Sequence, residues 1–449
     1  MSFLGIDLGT SFIKGAVLNL EKQQLEHVRR IPFPDPVATD DPLRCEFDPQ
    51  AILVAFQTLM NELVPFAFDC EGVVMCTQMH GLVLMDERHR AVSNCITWRD
   101  QRALSLHPSG AGTYFDTILA QTSESERQQL GNELEPSRPL CFLFWLKEQG
   151  QLIPGLVPAS LPDFVISTLS GDDPGVDPTN ASSYGAFNLE TSDWHFDVIR
   201  RLGLESLRWP GVRKQTDVAG YLKVGSRSVP CYAPVGDAQA ALAGSLLKAE
   251  ELSLNIATGA QVSRVIDELK LGSYQTRPYF DGQFLDTFSY PPAGRALNVL
   301  VGLVSEFAAV HAVPPQDPWA YIAEKTAEVR VTDLDLDLNF FPGPEGNAGH
   351  ICNINASNLS VGHLFRAAFR SMAESYFQCA VKLWPERAWK NLVLSGGLAC
   401  KMEALQQEIA QRFETSFRLS PQAEDTLFGL LILATVCSGR AKSLSDVRL

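Results

Sequence analysis

The sequence predicts an α/β chain of two domains, and three observations carry that expectation. Two apolar strand–turn–strand patterns of the same outline stand half a chain apart. One runs from Phe3 to Leu18 around Gly9-Thr10-Ser11, the other from Leu252 to Val262 around Thr258-Gly259. Both are hairpin patterns, with small polar turns between apolar runs. A third strand, Leu392-Val393-Leu394, runs into Ser395-Gly396-Gly397 and then a stretch with Met402, Leu405, Ile409 and Phe413 on one helical face. The length of 449 residues suits two or three domains at about 100–200 residues each. The hairpins are too far apart for a solenoid repeat, so they fit one opening hairpin per domain. Two unrelated glycine turns would give the same pattern. The division expected is 1–230 and 231–449.

The remaining elements follow in order. Pro32 to Pro42 is rich in Pro and Asp and is a loop. Gln50 to Leu63 is an amphipathic helix with Ile52, Phe56, Leu59 and Leu63 on one face. Val73 to Met75 is a short strand ahead of Gln78-Met79-His80-Gly81. Leu161-Pro162-Asp163 opens a helix that runs to about Ser170 and stops at Gly171. Arg227 to Pro234 is expected to cross between domains. Ala367 to Val381 is a helix, and Thr426 to Val436 a buried one.

Composition excludes several classes of function. Hydrophobic residues make up 45% and charged residues 20%, so a core forms without staples. A net charge of -15 argues against nucleic acid or an anionic membrane as partner. ATP stays possible, because Mg²⁺ and backbone amides offset charge locally. The ten cysteines show no zinc spacing and read as reduced thiols. There is no basic leader and no apolar run of about 18 residues, so a cytoplasmic location is expected. A homodimer is compatible with the sequence.

Four constellations can carry chemistry. Asp7, at a strand end before Gly9-Thr10-Ser11, can hold Mg²⁺ through water while the turn faces phosphates. Lys14 on the next strand either faces those phosphates or covers the sheet edge. Gly236-Asp237 opens a helix of small residues, where a carboxylate is favoured by the helix N-terminus; a plain N-cap would look the same. Gln78-Met79-His80 with Trp98 and Asp100 assembles amide, imidazole, indole and carboxylate groups, a set suited to a polyhydroxyl ligand. Taken singly, Trp98 and His80 read as core residues. Finally, Gly396-Gly397 offers bare backbone to a flat ligand or phosphate, in a setting that lacks the Walker A spacing.

The order of these motifs resembles the FGGY carbohydrate kinases, within the larger actin-like ATPase superfamily. The resemblance rests on Asp7-Leu8-Gly9-Thr10-Ser11, Gln78-Met79-His80-Gly81, Trp98-Arg99-Asp100-Gln101-Arg102, Gly236-Asp237, Thr258-Gly259 and Ser395-Gly396-Gly397. It also takes in Asp177 to Gly185, and it covers nearly the whole chain. It implies two actin-like ATPase (ribonuclease H-like) domains with an active-site cleft between them. It implies ATP-dependent phosphorylation of a ketose hydroxyl, with ATP and Mg²⁺ as cofactors. Asp237 would be the general base, and Asp7 would hold Mg²⁺. Gly9, Thr10, Ser11, Lys14, Thr258 and Gly259 would meet the phosphates. Gly396 and Gly397 would lie under adenosine. Gln78, Met79, His80, Trp98, Asp100 and Asp237 would line the sugar pocket.

Within the family, Gly236 to Gln239, Leu254 to Val262, Pro278 to Gly282 and Asn358 to His363 resemble the members that phosphorylate sedoheptulose; D-xylulose and D-ribulose are the alternatives. Related glycerol kinases carry an Arg-Glu pair where this chain has Met79-His80. The chain departs from the family near Gly343 to Asn347, where Gly-Glu-Arg is common and no Arg stands. A sugar-sensing pseudokinase would keep the fold but lose the acidic residues, which are present. A chaperone-type ATPase would lack the sugar signatures.

Overall fold

A computed structural model describes residues 1–110, 112–310, 317–341 and 346–448. Pro342 to Glu345, in the segment that departs from the Gly-Glu-Arg pattern, lie outside the described residues. The chain forms two compact units. The first comprises Met1–Leu246, Asp267–Phe284 and Gln422–Leu449; the second comprises Leu247–Ile266 and Leu285–Pro421. This differs from a division at residue 230. Arg227–Tyr232 is a strand of the first unit's sheet and no crossing segment. The C-terminal 28 or so residues return to that unit as well, because their helix carries an uninterrupted apolar run, Leu427 to Ala434, that must be buried.

The first unit is built on a mixed sheet. Its strands run in the order Val218–Val224, Arg227–Tyr232, Cys70–Thr77, Ser2–Leu8, Phe12–Asn19 and Gln24–Pro32. Ser2–Leu8 pairs antiparallel with Phe12–Asn19 and parallel with Cys70–Thr77. The short strand Val235–Gly236 also pairs parallel with Cys70–Thr77. Every residue of Ser2–Leu8 is buried, as expected of a strand covered on both faces.

One face is covered by the helix Pro49–Leu63, capped by Asp48 and burying Ile52, Phe56, Leu59 and Leu63. The helix Leu161–Ser170 joins the same core and ends at Gly171 with φ of 80°. The other face receives the helix Asp425–Cys437, whose Leu427, Leu430 and Leu431 pack with Phe3, Leu18 and Val74. That helix also lies against Asp237–Gly244. A Cβ on Gly429 would stand 1.9 Å from Ala240 O, so only glycine allows the two backbones this close. The small residues after Asp237 therefore serve packing inside one unit.

The second unit carries the sheet order Phe284–Phe288, Ala260–Ile266, Glu251–Ile256, Asn391–Ser395 and Phe417–Leu419. Glu251–Ile256 pairs antiparallel with Ala260–Ile266 and parallel with Asn391–Ser395. The helices Val361–Leu383 and Glu403–Phe413 pack on it, joined by a buried Arg366–Glu408 ion pair of 2.5 Å. Among the described residues, no helix is long and apolar enough to cross a membrane.

Candidate active site

Sheet register decides where the two central carboxylates stand. Cys70–Thr77 is flanked by Ser2–Leu8 on one side and Val235–Gly236 on the other. Cys76 pairs with Asp7 on the first and with Val235 on the second; Thr77 pairs with Leu8 and Gly236. Asp7 and Asp237 thus emerge at the carboxyl ends of strands that border one common strand. Ligands in open α/β sheets bind at such strand ends. Half the sequence separates the two residues, yet they belong to the same unit.

Asp7 is buried, and its Oδ2 accepts from the Thr426 hydroxyl at 2.8 Å. Its Oδ1 is buried without a hydrogen-bond partner. Burial raises the Asp7 carboxyl above its ordinary value; Thr426 and the Lys14 ammonium oppose the shift. Lys14 pairs in register with Asp7 across the hairpin and gives its charge to Glu424 at 2.8 Å.

Asp237 is the first residue of its helix, after Gly236 at the N-cap. Its Oδ1 accepts from the Ala238 backbone N–H at 2.8 Å. Burial, followed by the charge of Asp7, pushes its carboxyl up to about 7. Arg277 pulls the other way. The segment after Asp177 holds the approach in place: Gly236 N donates to Thr179 Oγ1 at 2.9 Å, and Asn180 Nδ2 donates to Pro234 O at 2.8 Å.

The residues expected to line a sugar pocket separate into three groups. Met79 lies beside Gly236, and His80 beside Ser183. A Cβ on Gly236 would be 3.3 Å from Met79 Sδ, and His80 N donates to Ser183 Oγ at 3.3 Å. His80 has a φ of 69°, and burial lowers its imidazole to about 3, which leaves it neutral. Gln78 and Trp98 instead grip the first hairpin turn. Trp98 Nε1 donates to Thr10 Oγ1 at 3.1 Å, Thr10 Oγ1 donates to Gln78 Oε1 at 3.2 Å, and Gln78 Nε2 donates to Gly9 O at 3.3 Å. Trp98 keeps 44% of its surface exposed, so a ring face remains available.

Asp100 does not fit the expected role. It is fully buried and both its oxygens are taken. Oδ1 accepts from Arg102 N and Nε, and Oδ2 accepts from Cys45 N and Arg102 Nη2. A carboxylate with four donors inside the protein holds a loop together and has no lone pair directed at a ligand.

In the second unit, the pairing of Asn255 with Ser395 sets the Thr258-Gly259 turn beside Gly396-Gly397. Gly396 has a φ of 86°, and a Cβ there would stand 2.4 Å from Ile256 O. A cavity of about 240 Å³ is lined by Thr258, Gly259, Arg295, Asn339 and Phe341, among others. Arg295 N donates to Thr258 O at 2.9 Å, and its guanidinium stacks 3.6 Å above the Phe341 ring.

Sequence reasoning missed Thr426, Glu133, Arg138 and Arg277. Arg277 Nε meets the fully buried Glu133 Oε1 at 2.5 Å, and Arg138 Nη2 is 3.3 Å from Oε2. The two guanidinium charges hold Glu133 well below the usual carboxylate range despite its burial. The one available signal was that Arg277 adjoins Pro278 to Gly282. Among the described residues no cluster of three or more His, Cys, Asp or Glu could hold a metal ion. A metal with a single protein carboxylate remains compatible with that, since Mg²⁺ is commonly bound by one or two carboxylates plus phosphates and water.

Known proteins resemble this chain in sequence and fold. Human sedoheptulokinase is 22% identical to this chain over 479 aligned residues, covering 96% of each. The xylulose kinase of Klebsiella pneumoniae is 25% identical, over 49% of this chain and 44% of its own. The crystal structure of xylulose kinase from Rhodospirillum rubrum superposes with a TM-score of 0.84 at 18% identity, covering 100% of this chain and 93% of that one. The fold is therefore the two-domain actin-like ATPase fold. Residues 2–244 match the FGGY family of carbohydrate kinases, N-terminal domain. That match spans more than half the sequence and includes Asp7, His80 and Asp237, and with it the chain belongs to the FGGY family of carbohydrate kinases.

Proposed function

We propose that the protein transfers the γ-phosphate of ATP to a hydroxyl of a five- to seven-carbon ketose. Sedoheptulose is placed first, giving sedoheptulose 7-phosphate and ADP, and D-xylulose or D-ribulose second. One observation carries the chemistry. Asp237, raised to about 7, stands beside the strand that pairs with Asp7, and Asp7 keeps one buried oxygen without a partner. The order of substrates rests on coverage. The match to human sedoheptulokinase runs through 96% of both chains, whereas the Klebsiella xylulose kinase match covers about half.

Phosphoryl transfer needs positioning and charge neutralisation more than covalent help. Asp237 takes the proton of the attacking hydroxyl, and a carboxylate near 7 is matched to that task at neutral pH. Asp7 fits Mg²⁺ through its unpartnered Oδ1, with Thr426 fixing the other oxygen. Bound there, Mg²⁺ would offset charge on the phosphate oxygens. Gly9, Thr10 and Ser11 offer hairpin groups to the phosphates, as Thr258 and Gly259 do in the second unit, and Lys14 reaches them only by leaving Glu424. Gly396 and Gly397 leave a bare backbone surface for adenosine. Met79, neutral His80 and the open face of Trp98 form a soft lining that suits a long carbon chain better than a three-carbon polyol.

The test is kcat/KM for sedoheptulose, D-xylulose, D-ribulose and glycerol, followed by ADP release under one set of conditions. A ketose should lead glycerol by about tenfold or more, since a polar group left unfilled costs about 1–3 kcal/mol. Glycerol in first place would overturn the acceptor class. D-xylulose or D-ribulose in first place would keep the chemistry and move the substrate.

A further inference from the structure

The chemistry above leaves the Glu133 carboxylate unused, although it lies next to His80. Its Oε1 is bonded to Arg277, and its backbone O accepts from Arg138 Nε at 2.9 Å. Its Oε2 accepts no hydrogen bond of proper geometry, and His80 Nε2 makes none either. These two buried polar atoms face each other across 3.8 Å. That distance exceeds a direct hydrogen bond, yet a single oxygen about 2.8 Å from each atom spans it. Oε2 has the Arg138 guanidinium 3.3 Å away but no hydrogen bond, and two adjacent buried polar atoms without one are costly unless something completes them.

We propose that Glu133 is a specificity-determining residue, whose Oε2 together with His80 Nε2 takes one hydroxyl of the sugar acceptor. This rests on the acceptor being a polyhydroxylated sugar, as proposed above. The hydroxyl donates its proton to Glu133 and accepts from the imidazole in the tautomer protonated at Nε2. A keto oxygen has no proton to give and a deoxy carbon fills neither partner, so the position reads a hydroxyl. The pair is held ready for this. Arg277 and Arg138 keep Glu133 ionised, and burial keeps His80 neutral. His80 retains 13% exposure of its side chain and Glu133 none, so the imidazole edge is the side from which a hydroxyl would approach. The same structure is tied to the base: Gln239 Nε2, on the helix of Asp237, donates to Pro278 O beside Arg277 at 3.3 Å.

The experiment compares Glu133→Gln with wild type on the preferred ketose and a series of its monodeoxy analogues. KM for ATP and kcat are measured alongside. In wild type, one analogue should lose about tenfold or more in kcat/KM relative to the others, mainly through KM. In Glu133→Gln that analogue's penalty should vanish, with KM for ATP unchanged. Calorimetric binding of the same analogues to wild type gives the first half of the result without any variant. If no analogue stands out in wild type, or if the same analogue keeps its penalty in Glu133→Gln, the assignment is overturned and a water fills the gap. Failure of the ketose reading is distinct, since it appears as absence of wild-type turnover with every sugar.

Discussion

Thr426 donates its hydroxyl to Asp7 Oδ2 at 2.8 Å across 419 residues of sequence. The last helix of the chain therefore fixes one oxygen of the first acidic residue and leaves Oδ1 without a partner. Thr426→Val keeps the shape and removes the donor. It should raise the Mg²⁺–ATP requirement by about tenfold with every acceptor alike, the effect of one lost bond to a charged group. Thr426→Ser should restore it. Asp7→Asn should depress turnover whatever the sugar, with partial recovery at high Mg²⁺. A variant of Asp7 that changes sugar preference and spares ATP use would place Asp7 on the acceptor side instead.

Asp237→Ala should lower kcat by about 10²–10⁴, the range for a lost general base. In wild type, kcat/KM should climb with pH and level off above about 7, because the base acts only when unprotonated. Stability moves the opposite way. The folded carboxyl holds its proton up to about 7, whereas the unfolded one releases it near 3.8. Folding therefore loses stability as pH rises through that window. Asp237→Asn removes the effect, so its melting temperature should gain on wild type between pH 4 and 7 and run parallel above.

Trp98 and Gln78 both hold Thr10, so an effect on the nucleotide should accompany any effect on the sugar. Trp98→Phe retains an aromatic face and deletes the indole donor. KM for ATP should rise several-fold, along with any change in KM for the ketose. A change confined to the ketose would show that the Thr10 bond carries no weight.

Asp100 should behave as a structural residue. Asp100→Ala leaves the buried Arg102 guanidinium short of its main partner and should destabilise the fold by about 3–5 kcal/mol, read in urea or thermal melts. The surviving folded enzyme should keep its KM for the ketose. A raised KM with unchanged stability would return Asp100 to the sugar pocket.

The strand–turn–strand patterns, the Gln50 to Leu63 face and the strand before Gly396 were legible because each depends on residues close in sequence. Period-two and period-3.6 burial and a glycine at a forced φ leave their mark locally. The motif order likewise carried the family. Whether each polar residue met a ligand or another side chain was not legible. Asp100 and Trp98 stand two residues apart in one motif, yet one is saturated inside the protein and the other is open.

By itself, then, the sequence determined the two-hairpin α/β plan, the family and most of the residue types that chemistry of this kind requires. Only the tertiary structure decided that Asp237 belongs with Asp7 in one unit, because parallel pairing to a common strand is a non-local choice with no local signature. It also decided that Gln422–Leu449 returns to the first sheet, where the apolar run from Leu427 to Ala434 can be covered. And it gathered Glu133, Arg138 and Arg277 around His80. A buried charge is stable only where opposite charges reach it, and which charges do so is fixed by packing, not by spacing along the chain.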